Sequence, residues 1–89
     1  MIEKLIEEGI ELEKELKPGV PRNYFDSILF EAWASKSIRY LEVNYADSII
    51  TEKAKKRFMD VDGTNNYDFY QFLLGSLKAI VDLHSASFQ

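Results

Sequence analysis

Between about Asn23 and Tyr45 this chain is apolar around most of a helical circumference, and that stretch limits what the rest can fold into. At about 100° per residue, Phe25, Leu29, Ala32, Trp33 and Tyr40 fall on one stripe, with Lys36 projecting into it. Phe30, Ala34, Ile38, Leu41 and Tyr45 form a second stripe at steps of four, four, three and four. A narrow strip of Asp26, Ser37 and Asn44 separates the two on one side, while Glu31, Ser35, Arg39 and Glu42 make the water-facing side. Such a helix is packed on several sides. It is either the centre of a monomeric bundle or a helix whose second stripe meets another subunit.

The flanking segments supply partners for it. Ile2, Leu5, Ile6, Gly9, Leu12 and Leu16 recur at three- and four-residue steps, which predicts an amphipathic helix over about residues 2–16. Gly9 lies inside that stripe, where its use is close approach to another helix. Lys17-Pro18-Gly19-Val20-Pro21 ends the helix. A short third helix is expected over about 51–59, capped by Thr51 or a neighbour, with Ala54, Phe58 and Met59 inward. A fourth runs over about 67–84, with Tyr70, Leu73, Leu74, Leu77, Ile80, Val81 and His84 on its inner face. No strand-like alternation of useful length interrupts this pattern. The expected fold is all-α, a single small four-helix bundle with a central apolar second helix.

Eighty-nine residues give one domain with a modest core, and an aromatic content of 13% makes rings its main building material. Cysteine is absent, so disulfides, thiolate chemistry and zinc–sulfur sites are excluded. No apolar run reaches the roughly 20 residues of a membrane span. The opening Met1-Ile2-Glu3-Lys4 lacks the basic-then-apolar order of a secretory signal, so a cytoplasmic protein is expected.

The net charge of −4 opposes general nucleic-acid affinity, because phosphates must be neutralised by Lys and Arg. Charge is nonetheless uneven: the first helix leans acidic, and Lys53, Lys56 and Arg57 share one face of the third. These three are a candidate anion patch, and they carry the alternative reading of a nucleic-acid adaptor. As an isolated charge run they also fit a solvated helix face, which is the more ordinary use.

Residues 60–71, Asp-Val-Asp-Gly-Thr-Asn-Asn-Tyr-Asp-Phe-Tyr-Gln, nearly spell a calcium loop. Asp60, Asp62, Thr64, the Asn66 carbonyl, Asp68 and Gln71 occupy the six ligand positions of a twelve-residue EF-hand. Gly63 and Tyr67 add to the likeness. Two positions depart from it. Asn65 stands where glycine makes the sharp turn, and Gln71 offers one neutral oxygen where glutamate gives two charged ones. A lone loop of this kind predicts weak calcium binding. The same letters also make a metal-free turn, with Asn65 or Asn66 capping the last helix and Asp68 suiting its N-terminal dipole. The metal-free reading accounts for both departures and takes precedence.

Other chemistry finds no footing. His84 is the one histidine, and a metal site needs several convergent ligands. There is no phosphate-binding glycine loop, no nucleophile elbow and no carboxylate pair with separated environments. The residues thus favour a non-enzymatic protein–protein interaction or assembly module that self-associates, its dimer face being Phe30, Ala34, Ile38, Leu41 and Tyr45. Calcium in the loop is the one cofactor the letters suggest.

Three phrases carry a resemblance: Leu5-Ile6-Glu7-Glu8-Gly9; Phe30-Glu31-Ala32-Trp33-Ala34-Ser35-Lys36-Ser37-Ile38-Arg39-Tyr40-Leu41-Glu42-Val43-Asn44-Tyr45; and Asn66-Tyr67-Asp68-Phe69-Tyr70-Gln71-Phe72-Leu73-Leu74-Gly75-Ser76-Leu77-Lys78-Ala79-Ile80. Together the chain resembles a loosely defined group of short bacterial helical domains, similar to ones in phage-related and defence-associated proteins, often beside an effector domain. The resemblance implies no catalytic residues. It implies that the Asn-rich approach to the last helix is a framework feature.

Overall fold

Leu5, Gly9 and Leu12 are buried while Glu3, Glu7, Glu11 and Glu13 are exposed, so the amphipathic stripe of the first helix lies where its spacing places it. The computed structural model describes residues 1–86, with side chains through residue 83. In it, helix α1 spans Ile2–Glu11 and tightens into a 3-10 turn at Leu12–Glu15. The chain then departs from the expected continuous helix. Leu16–Lys17 (β1) pairs antiparallel with Tyr24–Phe25 (β2), Leu16 opposite Phe25 and Lys17 opposite Tyr24. Helix α2 follows at Ile28–Asn44, α3 at Ile49–Met59 and α4 at Asn66–Ala86. The fold is a small all-α bundle with one two-residue ladder added.

The helix starts have local causes. Ser27 Oγ accepts from the Leu29 N–H at 3.1 Å and so begins α2 at Ile28, later than the apolar pattern suggested. Ser48 Oγ does the same for Ile50 at 3.1 Å, which makes Ser48 the cap of α3. Thr51, which the pattern offered together with its neighbours as that cap, is instead buried inside the first turn. Met59, expected inward, is exposed.

The ladder is held from a distance. Asn66 Oδ1 accepts from the Phe25 N–H at 2.9 Å, and Asn66 Nδ2 donates to the Phe25 carbonyl at 2.8 Å. One buried amide thus satisfies both groups on the open side of β2, as a third strand would. The clamp joins the start of α4 to β2, just ahead of α2, where the aromatic core begins.

That core gathers where α1, α2, α4 and β2 meet. Phe25 stacks on Phe30 with centroids 4.8 Å apart and meets Tyr70 at 4.9 Å, and Trp33 meets Tyr70 at 5.5 Å. The polar atoms of these rings find partners on α1. Trp33 Nε1 donates to the Leu5 carbonyl at 2.8 Å and the Tyr70 hydroxyl to the Gly9 carbonyl at 2.7 Å. Burial, reinforced by the charge of Glu13, pushes the Tyr70 hydroxyl up to about 12. Gly9 is required by contact: a Cβ there would stand 2.8 Å from Trp33 Cζ2 and 2.9 Å from Leu74 Cδ1. Among the described residues no helix is long and apolar enough to cross a membrane.

Candidate functional site

The 60–71 loop folds as a turn leading into a helix. Among the described residues none has a positive φ, so neither Gly63 nor Asn65 makes the left-handed bend of a calcium loop. Helix α4 already begins at Asn66, which puts Asn66, Asp68 and Gln71 on helical backbone. The loop oxygens are used locally. Asp62 Oδ1 accepts from the Thr64 N–H at 2.7 Å and from the Thr64 hydroxyl at 2.6 Å, and these bonds hold the Asp62 carboxyl below its usual range. Asn65 accepts from the Asp62 N–H at 2.8 Å and donates to the Asp60 carbonyl at 3.1 Å. The Asn66 side chain clamps Phe25, Asp68 pairs with Arg22, and Gln71 is exposed. Among the described residues Asp60, Asp62 and Asp68 do not form a metal-holding group. In this arrangement the six positions form a turn running into a helix, the metal-free alternative of the sequence reading, and they do not take up the backbone geometry of an EF-hand loop. The His84 side chain lies outside the described residues.

The expected dimer face is also corrected. Phe30, Ala34, Ile38 and Leu41 are core residues, none more than 7% exposed, and Tyr45 is half-buried beside Tyr40. The second stripe of α2 turns inward, and Ser37 from the polar strip is buried with it.

What α2 leaves outside is the other stripe. Leu29 is 61% exposed and Val43 64% exposed, Ala32 and Lys36 are exposed, and Tyr40 is half-buried. Trp33 alone of that stripe's helical members is buried, under α1. Two recesses open along this face between α1 and α2. One, of about 490 Å³, has Leu12, Leu29, Ala32 and Trp33 as its apolar lining. The other, of about 580 Å³, has Met1, Leu5, Tyr40 and Val43. Both share Lys4, Glu8 and Lys36, and a Lys36–Glu8 ion pair bridges the groove between them.

The sequence contains a signal for this face beyond bare periodicity. Leu29, Ala32, Lys36, Tyr40 and Val43 follow at steps of three, four, four and three, a palindrome centred on Lys36. All five fall within about 80° of the helix circumference at 100° per residue. Val43, unassigned by the two-stripe pattern, completes it.

The basic residues lie elsewhere, on α3. Lys53, Lys56 and Arg57 are exposed, and the Lys53 ammonium and Arg57 guanidinium lie 5.5 and 4.6 Å from the centroid of the Phe72 ring on α4. The structure thus keeps these three together, with an aromatic ring beneath two of them. Neither protein-family models, nor curated proteins, nor solved structures give a match to this chain.

Proposed function

We propose that this chain is a non-enzymatic helical assembly module that pairs with a second copy of itself through the outer stripe of α2. The palindrome centred on Lys36 carries the reading. A two-fold axis passing near Lys36 sets two such helices antiparallel. Leu29 of each copy then faces Val43 of the other, and the small Ala32 faces the large Tyr40. Isologous pairing requires this kind of self-complementarity, in which residue i meets j and j meets i. Large-against-small alternation lets the side-chain ridges interdigitate.

The groove supports the same occupant. Leu29 of one copy enters the recess lined by Leu5, Tyr40 and Val43 of the other, and Val43 enters the recess lined by Leu12, Ala32 and Trp33. Each copy brings one Lys36 and one Glu8 to the axis, so two cations meet two anions. The resemblance to short helical domains found beside effector domains in phage-related and defence-associated proteins fits a module whose role is assembly, acting in the cytoplasm.

Sedimentation equilibrium tests this. The weight-average mass should rise from 10.3 kDa toward twice that value as concentration increases. The double variant Leu29→Glu, Val43→Glu should stay monomeric with an unchanged circular dichroism spectrum, because both side chains are exposed in the monomer. A wild type that remains monomeric up to about 1 mM, the weak end of specific association, overturns the proposal. So does a double variant that dimerises as the wild type does.

A further inference from the structure

The outer face of α3 is a second surface, independent of the α2 stripe. In a chain where fifteen Asp and Glu outnumber eleven Lys and Arg, a cation without a carboxylate partner stands out. Lys14, Lys17, Arg22, Lys36, Arg39 and Lys55 each have a carboxylate within 4.0 Å. Among the described residues Lys53, Lys56 and Arg57 have none, and they sit together. Lys4 and Lys78 also lack one, but they stand singly on α1 and α4.

Two of the three cations are held in position. The half-buried Phe72 ring lies under both Lys53 and Arg57, and the attraction between a cation and a ring face restrains otherwise mobile side chains. A charge already held in place loses less freedom when a partner arrives. Ile49, 79% exposed, heads the same face, with Lys53 and Lys56 following at steps of four and three. The surface is thus an exposed apolar residue leading into unpaired cations. Its complement is an apolar residue leading into carboxylates.

We infer that the outer face of α3 docks an acidic amphipathic segment of another protein, with carboxylates on Lys53, Lys56 and Arg57 and an apolar anchor on Ile49. A nucleic acid fits less well. Three cations neutralise few phosphates, the whole chain carries −4, and Ile49 offers a sugar–phosphate backbone nothing. Arg57 also lines a recess of about 200 Å³ with Asp60 and Asp68, whose charges repel an anion from that side. The segment therefore runs along the Ile49–Lys53–Lys56 line and meets Arg57 from that side, away from Asp60 and Asp68.

Fluorescence anisotropy tests this with a labelled peptide of glutamate and leucine at helical spacing. Its lysine-for-glutamate counterpart and an oligothymidylate are titrated in parallel. The acidic peptide should bind wild type, lose about tenfold or more in affinity on Lys53→Glu, Lys56→Glu, Arg57→Glu, and keep it on Lys4→Glu, Lys78→Glu. Amide NMR on wild type should place its shifts on residues 49–57 and Phe72, a readout that does not depend on any variant folding. Equal affinity for triple variant and wild type, shifts confined to α1 and α2, or tighter binding of the oligothymidylate each overturns the inference.

Discussion

The aromatic junction of α1, α2, α4 and β2 and the packing of α3 are built to different standards. At the junction, five rings meet and the buried polar atoms of Trp33, Asn66 and Tyr70 are all hydrogen-bonded to backbone. On α3 the buried residues are Thr51 and Ala54, both small, and Phe58 is half-buried against Phe69 at 5.7 Å. Among the described residues Thr51 Oγ1 is buried without a partner, as is Ser37 Oγ in the middle of α2. A buried hydroxyl without a hydrogen bond forfeits its hydration and gains nothing in return. The junction thus satisfies its buried polar atoms, whereas α3 joins the same core through Thr51, Ala54 and the half-buried Ile50 and Phe58 with one buried hydroxyl left over. That element is also the one presenting the unpaired cations.

The largest test of that contrast is Trp33→Ala. It removes a fully buried ring and its bond to Leu5, and should cost about 3–5 kcal/mol in urea unfolding. A loss below about 1 kcal/mol would place the core elsewhere. Next comes Asn66→Ala, which strands the N–H and carbonyl of Phe25. A cost of about 2–4 kcal/mol is expected, read as a lower thermal midpoint. Asn66→Asp keeps one acceptor but sets a second oxygen against the Phe25 carbonyl in a buried site, and should cost at least as much as Asn66→Ala. The smallest effect has the opposite sign. Thr51→Val keeps the side-chain shape and removes the unpartnered hydroxyl, so it should stabilise by about 1 kcal/mol. If it destabilises instead, Thr51 has a partner in solution and the α3 packing is better satisfied than described.

The number, order and approximate limits of the helices were legible because three- and four-residue spacing is a local property. The β1–β2 ladder was not, because its open edge is satisfied by Asn66, which lies 41 positions after Phe25. The same side chain ties the end of the 60–66 turn to a strand that no local pattern announces. Both apolar stripes of α2 were visible, but which one faces inward depends on where α3 and α4 lie. Phe30, Ala34, Ile38 and Leu41 turned inward and left Leu29 and Val43 outside. The Lys53, Lys56 and Arg57 cluster was readable from spacing alone, whereas Phe72 beneath it belongs to another helix and needed the fold.

Self-pairing through α2 is the central claim, and the absence of cysteine makes it directly testable. A Lys36→Cys variant that also carries Glu8→Gln, so that both members of the axial ion pair leave together, would put one thiol per chain next to the proposed two-fold axis. An Ile49→Cys variant would put one on the still more exposed face of α3. Under mild oxidation, non-reducing electrophoresis should show Cys-bridged dimers forming rapidly and nearly completely for Lys36→Cys and slowly for Ile49→Cys. Equal rates for the two, or faster bridging through α3, would contradict an antiparallel α2 pair.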